Sequence, residues 1–122
     1  VDTLQLIIQR YIQHAGTKEF AGLLQSDPPA RIELRGLIGA QECFVLAGAY
    51  LNAPRFILLV ATDKEEAAYF QNTLTSLLTL KEIHFFPDSF RQPANFEALN
   101  ANNVLQRTET INKLISSDGK EV

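Results

Sequence analysis

Residues 55–62, RFILLVAT, decide how the rest of this chain is read. The run is apolar from Phe56 to Ala61 and is of strand length. A continuous run of that kind is expected of a central parallel strand covered on both faces. In front of it, Asn52-Ala53-Pro54 closes the preceding element, because proline cannot continue a helix. Behind it, Thr62 and Glu65 form an S/T-x-x-E capping box that opens a helix over 63–78. Its buried stripe is read as Ala67, Phe70, Leu74, Leu77 and Leu78.

Outward from this strand the pattern alternates. RIELRGL is a first strand, with Ile32 and Leu34 on one face. Residues 40–51 form a helix that is apolar nearly all round, and such a helix belongs beneath other elements. EIHFF is a third strand, closed by Pro87-Asp88. The irregular stretch PDSFRQPANFEALN leads to a helix over 102–116, with Val104, Leu105, Ile111, Leu114 and Ile115 inward. Ser117-Asp118-Gly119 then turns toward a fourth strand. Strands and helices alternating at these lengths predict an α/β fold, a parallel sheet with flanking helices. Ahead of it, apolar spacing predicts a helix over 2–14 through Leu4, Ile7, Ile8, Tyr11 and Ile12. A second follows over 18–25 through Phe20, Leu23 and Leu24, and SDPPA stops it. Residues 1–30 are thus a helical leader packed on a domain that spans 31–122.

The chain has 122 residues, 46% of them hydrophobic and 20% charged, which is one ordinary domain with a single core. No run reaches the roughly 18 apolar residues that would span a bilayer. No basic-then-apolar leader appears either, so a cytoplasmic protein without a membrane role is expected. Its net charge of −3 comes with scattered lysines and arginines. Tight binding of nucleic acid, which needs clustered cations, is not expected of the isolated unit. The single cysteine, Cys43, cannot form an internal disulfide and reads as a small buried hydrophobe. The start without methionine and the close on SSDGKEV read as an excised piece of a longer protein. An edge left unpaired there invites strand exchange or dimerisation.

The strand-to-helix turn at 35–50, RGLIGAQECFVLAGAY, has the outline of a phosphate-binding loop. Setting the first glycine of G-x-x-x-x-G-K-[ST] on Gly36 places the other required positions on Gln41, Glu42 and Cys43, with Gly39 inside the loop. Gln41 puts a side chain where the backbone must approach phosphate closely. Glu42 puts an anion where lysine supplies a cation. A unit-charge pair at about 4 Å and an effective dielectric near 20 is worth roughly 4 kcal/mol, so the reversal amounts to about twice that. A micromolar ligand has only about 8 kcal/mol in all. Cys43 offers sulfur where Mg²⁺ wants oxygen. The loop reads as degenerate and unable to hold ATP. Glu42 has a plainer explanation too, since an acid in the first turn of a helix complements its dipole.

Few other residues suggest chemistry. Asp63 ends an apolar strand as a metal-holding acid would, but helix capping with Thr62 and Glu65 or Glu66 explains it more simply. His14 and His84 lie far apart, so a metal site is not expected. Phe90, Arg91 and Phe96, on a polar irregular stretch, are candidate interface anchors. The alternative is that the two aromatics fold back over the sheet edge. Arg107 is a further interface candidate, with a solvated helix face and pairing to Glu109 or Asp118 as its default.

Taken in order, RGLIGAQECFVLAGAYLNAPRFILLVATDKEEAAYF, EIHFFPDSF and NNVLQRTETINKLISSDGKEV resemble the N-terminal part of the bacterial transcription-repair coupling factor. The resemblance runs over 31–122, a region similar to the first domain of the excision-repair protein UvrB. It implies a UvrB-like domain whose ATP loop has been lost, at Gly36, Gly39, Gln41, Glu42 and Cys43. UvrB also has a tyrosine-rich stretch and a long β-hairpin that probe damaged DNA; residues 88–100 here are short and lack tyrosine, so direct damage reading is not implied. The implied parent is an ATP-driven, helicase-like DNA translocase that displaces stalled RNA polymerase and recruits UvrA in nucleotide excision repair. ATP and Mg²⁺ would bind elsewhere in that parent, and UvrA mainly on the following domain. RNA polymerase and DNA would engage other parent domains. The present chain would be a non-catalytic scaffold, without a cofactor, that contacts the rest of its parent. Two other classes stay open: an active nucleotide-binding or ATPase domain with an unorthodox loop, and a signalling receiver. The receiver needs an acidic pair after its first strand, where this chain has Gly36-Leu37-Ile38.

Overall fold

The computed structural model describes residues 2–79, 81–87 and 101–116. They form five helices: α1 (Thr3–Gln13), α2 (Ala15–Leu23), α3 (Gln41–Asn52), α4 (Lys64–Leu77) and α5 (Ala101–Ser116). The two N-terminal helices are joined by one residue. His14 ends α1 and also caps α2, its Nδ1 accepting from the Gly16 N–H at 3.1 Å. Asp2 caps the start of α1 through the Leu4 N–H.

α3 is the centre, and α1, α2 and α4 all pack against it. This is the helix read from the sequence as apolar nearly all round, and it does lie beneath other elements. Its contact faces are made of small residues: Cys43, Ala47, Gly48 and Ala49 are buried. A Cβ on Gly48 would come within 3.1 Å of Thr17 Cγ2 and 3.4 Å of the Tyr11 carbonyl carbon. The junction of α1 and α2 therefore rests directly on the α3 backbone. Asn52, one turn on, donates from Nδ2 to the carbonyls of Ile12 and Gly48, both at 3.0 Å. Tyr11 stacks on Phe44 with ring centroids 5.1 Å apart. From the other side α4 adds Leu74, Leu77 and the following Leu78, which join Ile8, Cys43, Ala47 and Tyr50 in the main core.

The expected α/β fold is not found. Among the described residues there is no β-strand and no sheet, and the UvrB-like parallel sheet is overturned with it. RIELRGL, RFILLVAT and EIHFF are all non-helical but do not form a ladder. Leu58 and Val60, expected to be covered on both faces, are 75% and 81% exposed. Apolar runs report a local preference, whereas a strand also needs a neighbour about 4.8 Å away, a condition no short stretch can encode. The expected fourth strand and its unpaired edge lie outside the described residues.

Two helices carry smaller corrections. α5 forms where expected, yet Val104, Leu105 and Ile115 are exposed rather than inward, and Ile111 and Leu114 line an open cavity instead of a closed core. The sheet that would have covered them is missing among the described residues. At α4 the capping box sits one residue later than read. Asp63 is the N-cap, accepting from the Glu66 N–H at 2.7 Å. Glu66 reaches back to the amide and hydroxyl of Thr62, each at 2.7 Å. Those two bonds hold the Glu66 carboxyl below its ordinary range.

Replacing Gly48 by leucine should force α1 and α2 off α3 and cost about 1–3 kcal/mol, the usual range for overpacking. Thermal melts followed by circular dichroism at the helical minimum would show the loss.

Candidate functional site

Residues 36–41, read from the sequence as a phosphate-loop outline, form a turn that holds itself closed. Gly36 and Gly39 take positive φ, 78° and 57°, which only glycine adopts without cost. Gln41 folds its side chain back so that Oε1 accepts from the Ile38 N–H at 2.9 Å. The Gln41 N–H in turn donates to the Ile38 carbonyl at 3.2 Å. An amide that could have faced an anion is thus occupied by Gln41. Ala40 takes the N-cap position of α3 and makes no side-chain cap bond.

Glu42 is exposed in the first turn of α3, where its charge complements the helix dipole. Cys43 is completely buried, as read from the sequence. Burial pushes its thiol up, and the Glu42 charge adds to that, against a hydrogen bond with Thr73. Both effects favour the neutral thiol, and the side chain is shut off from solvent. The loop residues are therefore brought together in space, but as a neutral thiol, an anion and an amide engaged with its own turn.

A second feature is an apolar cavity of 690 Å³. Residues 55–61 line it on one side and 82–87 on another, with Tyr50, Phe70 and Leu74 among its helical walls. A smaller one of 210 Å³ has Leu34, Leu37 and Leu59 among its lining residues. Two of the expected strands thus flank a gap rather than each other.

Segment 82–87 is tied to helices at both ends. Gln71 of α4 donates from Nε2 to the Ile83 carbonyl at 3.2 Å. Arg107 of α5 donates to the Pro87 carbonyl at 2.7 Å and lies 4.2 Å from the centroid of the Phe86 ring. Lys113 sits 3.1 Å from the Glu82 carboxylate. His84 approaches the same carboxylate through Nε2 at 3.4 Å, an electrostatic contact without a hydrogen bond. Arg107 is consequently neither a solvated residue nor a partner of Glu109; it clamps α5 onto this segment.

Phe90, Arg91 and Phe96 lie outside the described residues, as does Asp118. His14 serves as a helix cap. Among the described residues no three His, Cys, Asp or Glu side chains cluster as a metal site would require. None of the described helices is long and apolar enough to cross a membrane. Sequence reasoning missed Glu82 and Lys113. The offset of Glu82 and His84 by two residues was a usable signal, while nothing local pointed to Lys113. No protein-family model matches the chain, and neither does any curated protein or solved structure in the comparisons made.

The Glu82 carboxyl is held below its ordinary value of 4.5, chiefly by the hydrogen bond and charge of Lys113 and then by His84. A carboxyl with a depressed folded value contributes stability that is complete above its ordinary value and lost as pH falls through the depressed one. Acidification below 4.5 should therefore loosen α5 from 82–87 before the α1–α3 core opens. Hydrogen exchange of α5 amides measured at successively lower pH would reveal this, and Glu82→Gln should remove most of the pH dependence.

Proposed function

We propose that this chain is a non-catalytic interaction module of a transcription-repair coupling factor, a cytoplasmic protein of nucleotide excision repair. The observation that carries the non-catalytic part is the start of α3: Glu42 sets an anion in the first turn, and Gln41 Oε1 occupies the Ile38 amide. Neither can serve a triphosphate, because the first repels it and the second has already consumed a donor. The ordered motifs quoted above are what supports the family; the UvrB-like sheet that it implies is not found among the described residues. In this reading the module binds no ATP or Mg²⁺ of its own and contacts the remainder of its parent, which engages UvrA, RNA polymerase and DNA through other domains.

A second reading has one observation in its favour. Two left-handed glycines leading into a helix supply the backbone turn from which anion-binding loops are built. An active nucleotide-binding domain of unusual loop chemistry would use that turn.

Titration calorimetry with ATP and Mg²⁺ separates the two. No heat of binding is expected, and micromolar affinity would overturn the silent module in favour of the second reading. The family assignment is tested by titrating the chain into a coupling factor shortened to lack the matching N-terminal region. Binding is expected, and its absence would count against the assignment.

A further inference from the structure

The segment from Phe56 to Ala61 leaves an apolar ladder unmade. None of its backbone amides or carbonyls bonds to another described residue. Its exposure alternates: Leu58 and Val60 are 75% and 81% exposed, whereas Ile57 and Ala61 are half-buried and Leu59 is intermediate between these at 42%. Alternation with a period of two marks extended backbone with one face more covered and one open to solvent. Six residues without charge, proline or glycine, rich in aliphatic side chains, make a strong pairing edge.

We propose that this segment pairs antiparallel with the same segment of a second copy, about a two-fold axis at Leu59. The argument is one of charge. Arg55 flanks the run on one side and Asp63 on the other, and everything between them is uncharged. In an antiparallel pair centred on Leu59, Arg55 of each copy falls opposite Asp63 of its partner. Phe56 then faces Thr62, Ile57 faces Ala61, and Leu58 faces Val60. A parallel pair would instead stack arginine on arginine and aspartate on aspartate. The antiparallel arrangement is isologous and closes on itself. It brings the exposed Leu58 and Val60 of both copies into one apolar cluster.

Both charged ends remain able to pair. Arg55 donates one N–H to the Leu24 carbonyl, and a guanidinium has five. Asp63 uses Oδ1 for the Glu66 amide, and a carboxylate accepts several bonds. Its backbone is extended, at φ −151° and ψ 175°, so the strand direction carries through to it. The Thr62 amide is taken by Glu66, which ends the ladder at Ala61.

Sedimentation of the whole chain over a wide concentration range should show a monomer–dimer equilibrium. Val60→Lys is expected to weaken the dimer by roughly tenfold or more, by setting cations within the shared apolar cluster. Arg55→Glu, which makes both ends negative, should weaken it as well. Helical circular dichroism should be unchanged in Val60→Lys, because that side chain points to solvent. Leu59→Cys supplies a test without added charge. Identical residues across the axis have Cβ atoms about 4.5–5.5 Å apart, near disulfide range, so mild oxidation should link two chains. Wild type should not link under the same conditions, its own thiol being buried. A monomer at every concentration would overturn the proposal and leave the face to a strand of another protein. So would a dimer that survives Val60→Lys and fails to link through residue 59.

Discussion

The close approach of α1 and α2 to the backbone of α3 at Gly48 is the constraint on which the rest of the helical core depends. Helices meet at 8–10 Å, and the near end of that range needs small residues in the seam. Cys43, Ala47, Gly48 and Ala49 provide them, and Asn52 fastens the seam with two hydrogen bonds to backbone carbonyls. With α1 and α2 seated on those faces, Tyr11 reaches Phe44 and Ile8 closes over Cys43, while α4 is left the remaining side of α3. The same packing seals the Cys43 thiol from solvent.

The turn before α3 is governed by the same economy of local contacts. Gly36 and Gly39 bend the chain, and Gln41 satisfies the amide that the bend exposes. A phosphate loop would leave such amides open for a ligand. Here Gln41 closes the turn from both its side chain and its backbone. Gln41 acts through hydrogen bonding and Glu42 through charge, and each alone opposes an anion.

Beyond the core the balance shifts from burial to polar clamps. α5 meets the remainder through Arg107 and Lys113, and most of its apolar stripe is uncovered. Residues 55–61 show the same condition more strongly.

Much of this was legible in the residues themselves. Helix positions follow from periodicity and from caps close in sequence, so α1, α3, α4 and α5 fall within a few residues of where RYIQ, ECFVLAGAY, EEAAYF and NNVLQRTETINKLIS place them. The buried state of Cys43 and the capping role of Asp63 are equally local. The closure of the loop by Gln41 and the clamp of Arg107 on Phe86 and Pro87 depend on where distant backbone comes to rest. Above all, whether RIELRGL, RFILLVAT and EIHFF become a sheet was not theirs to decide. A helix hydrogen-bonds within itself, and its own residues suffice to specify it. A strand is completed only by another strand, and among the described residues the tertiary structure sets cavities beside these runs in place of partners.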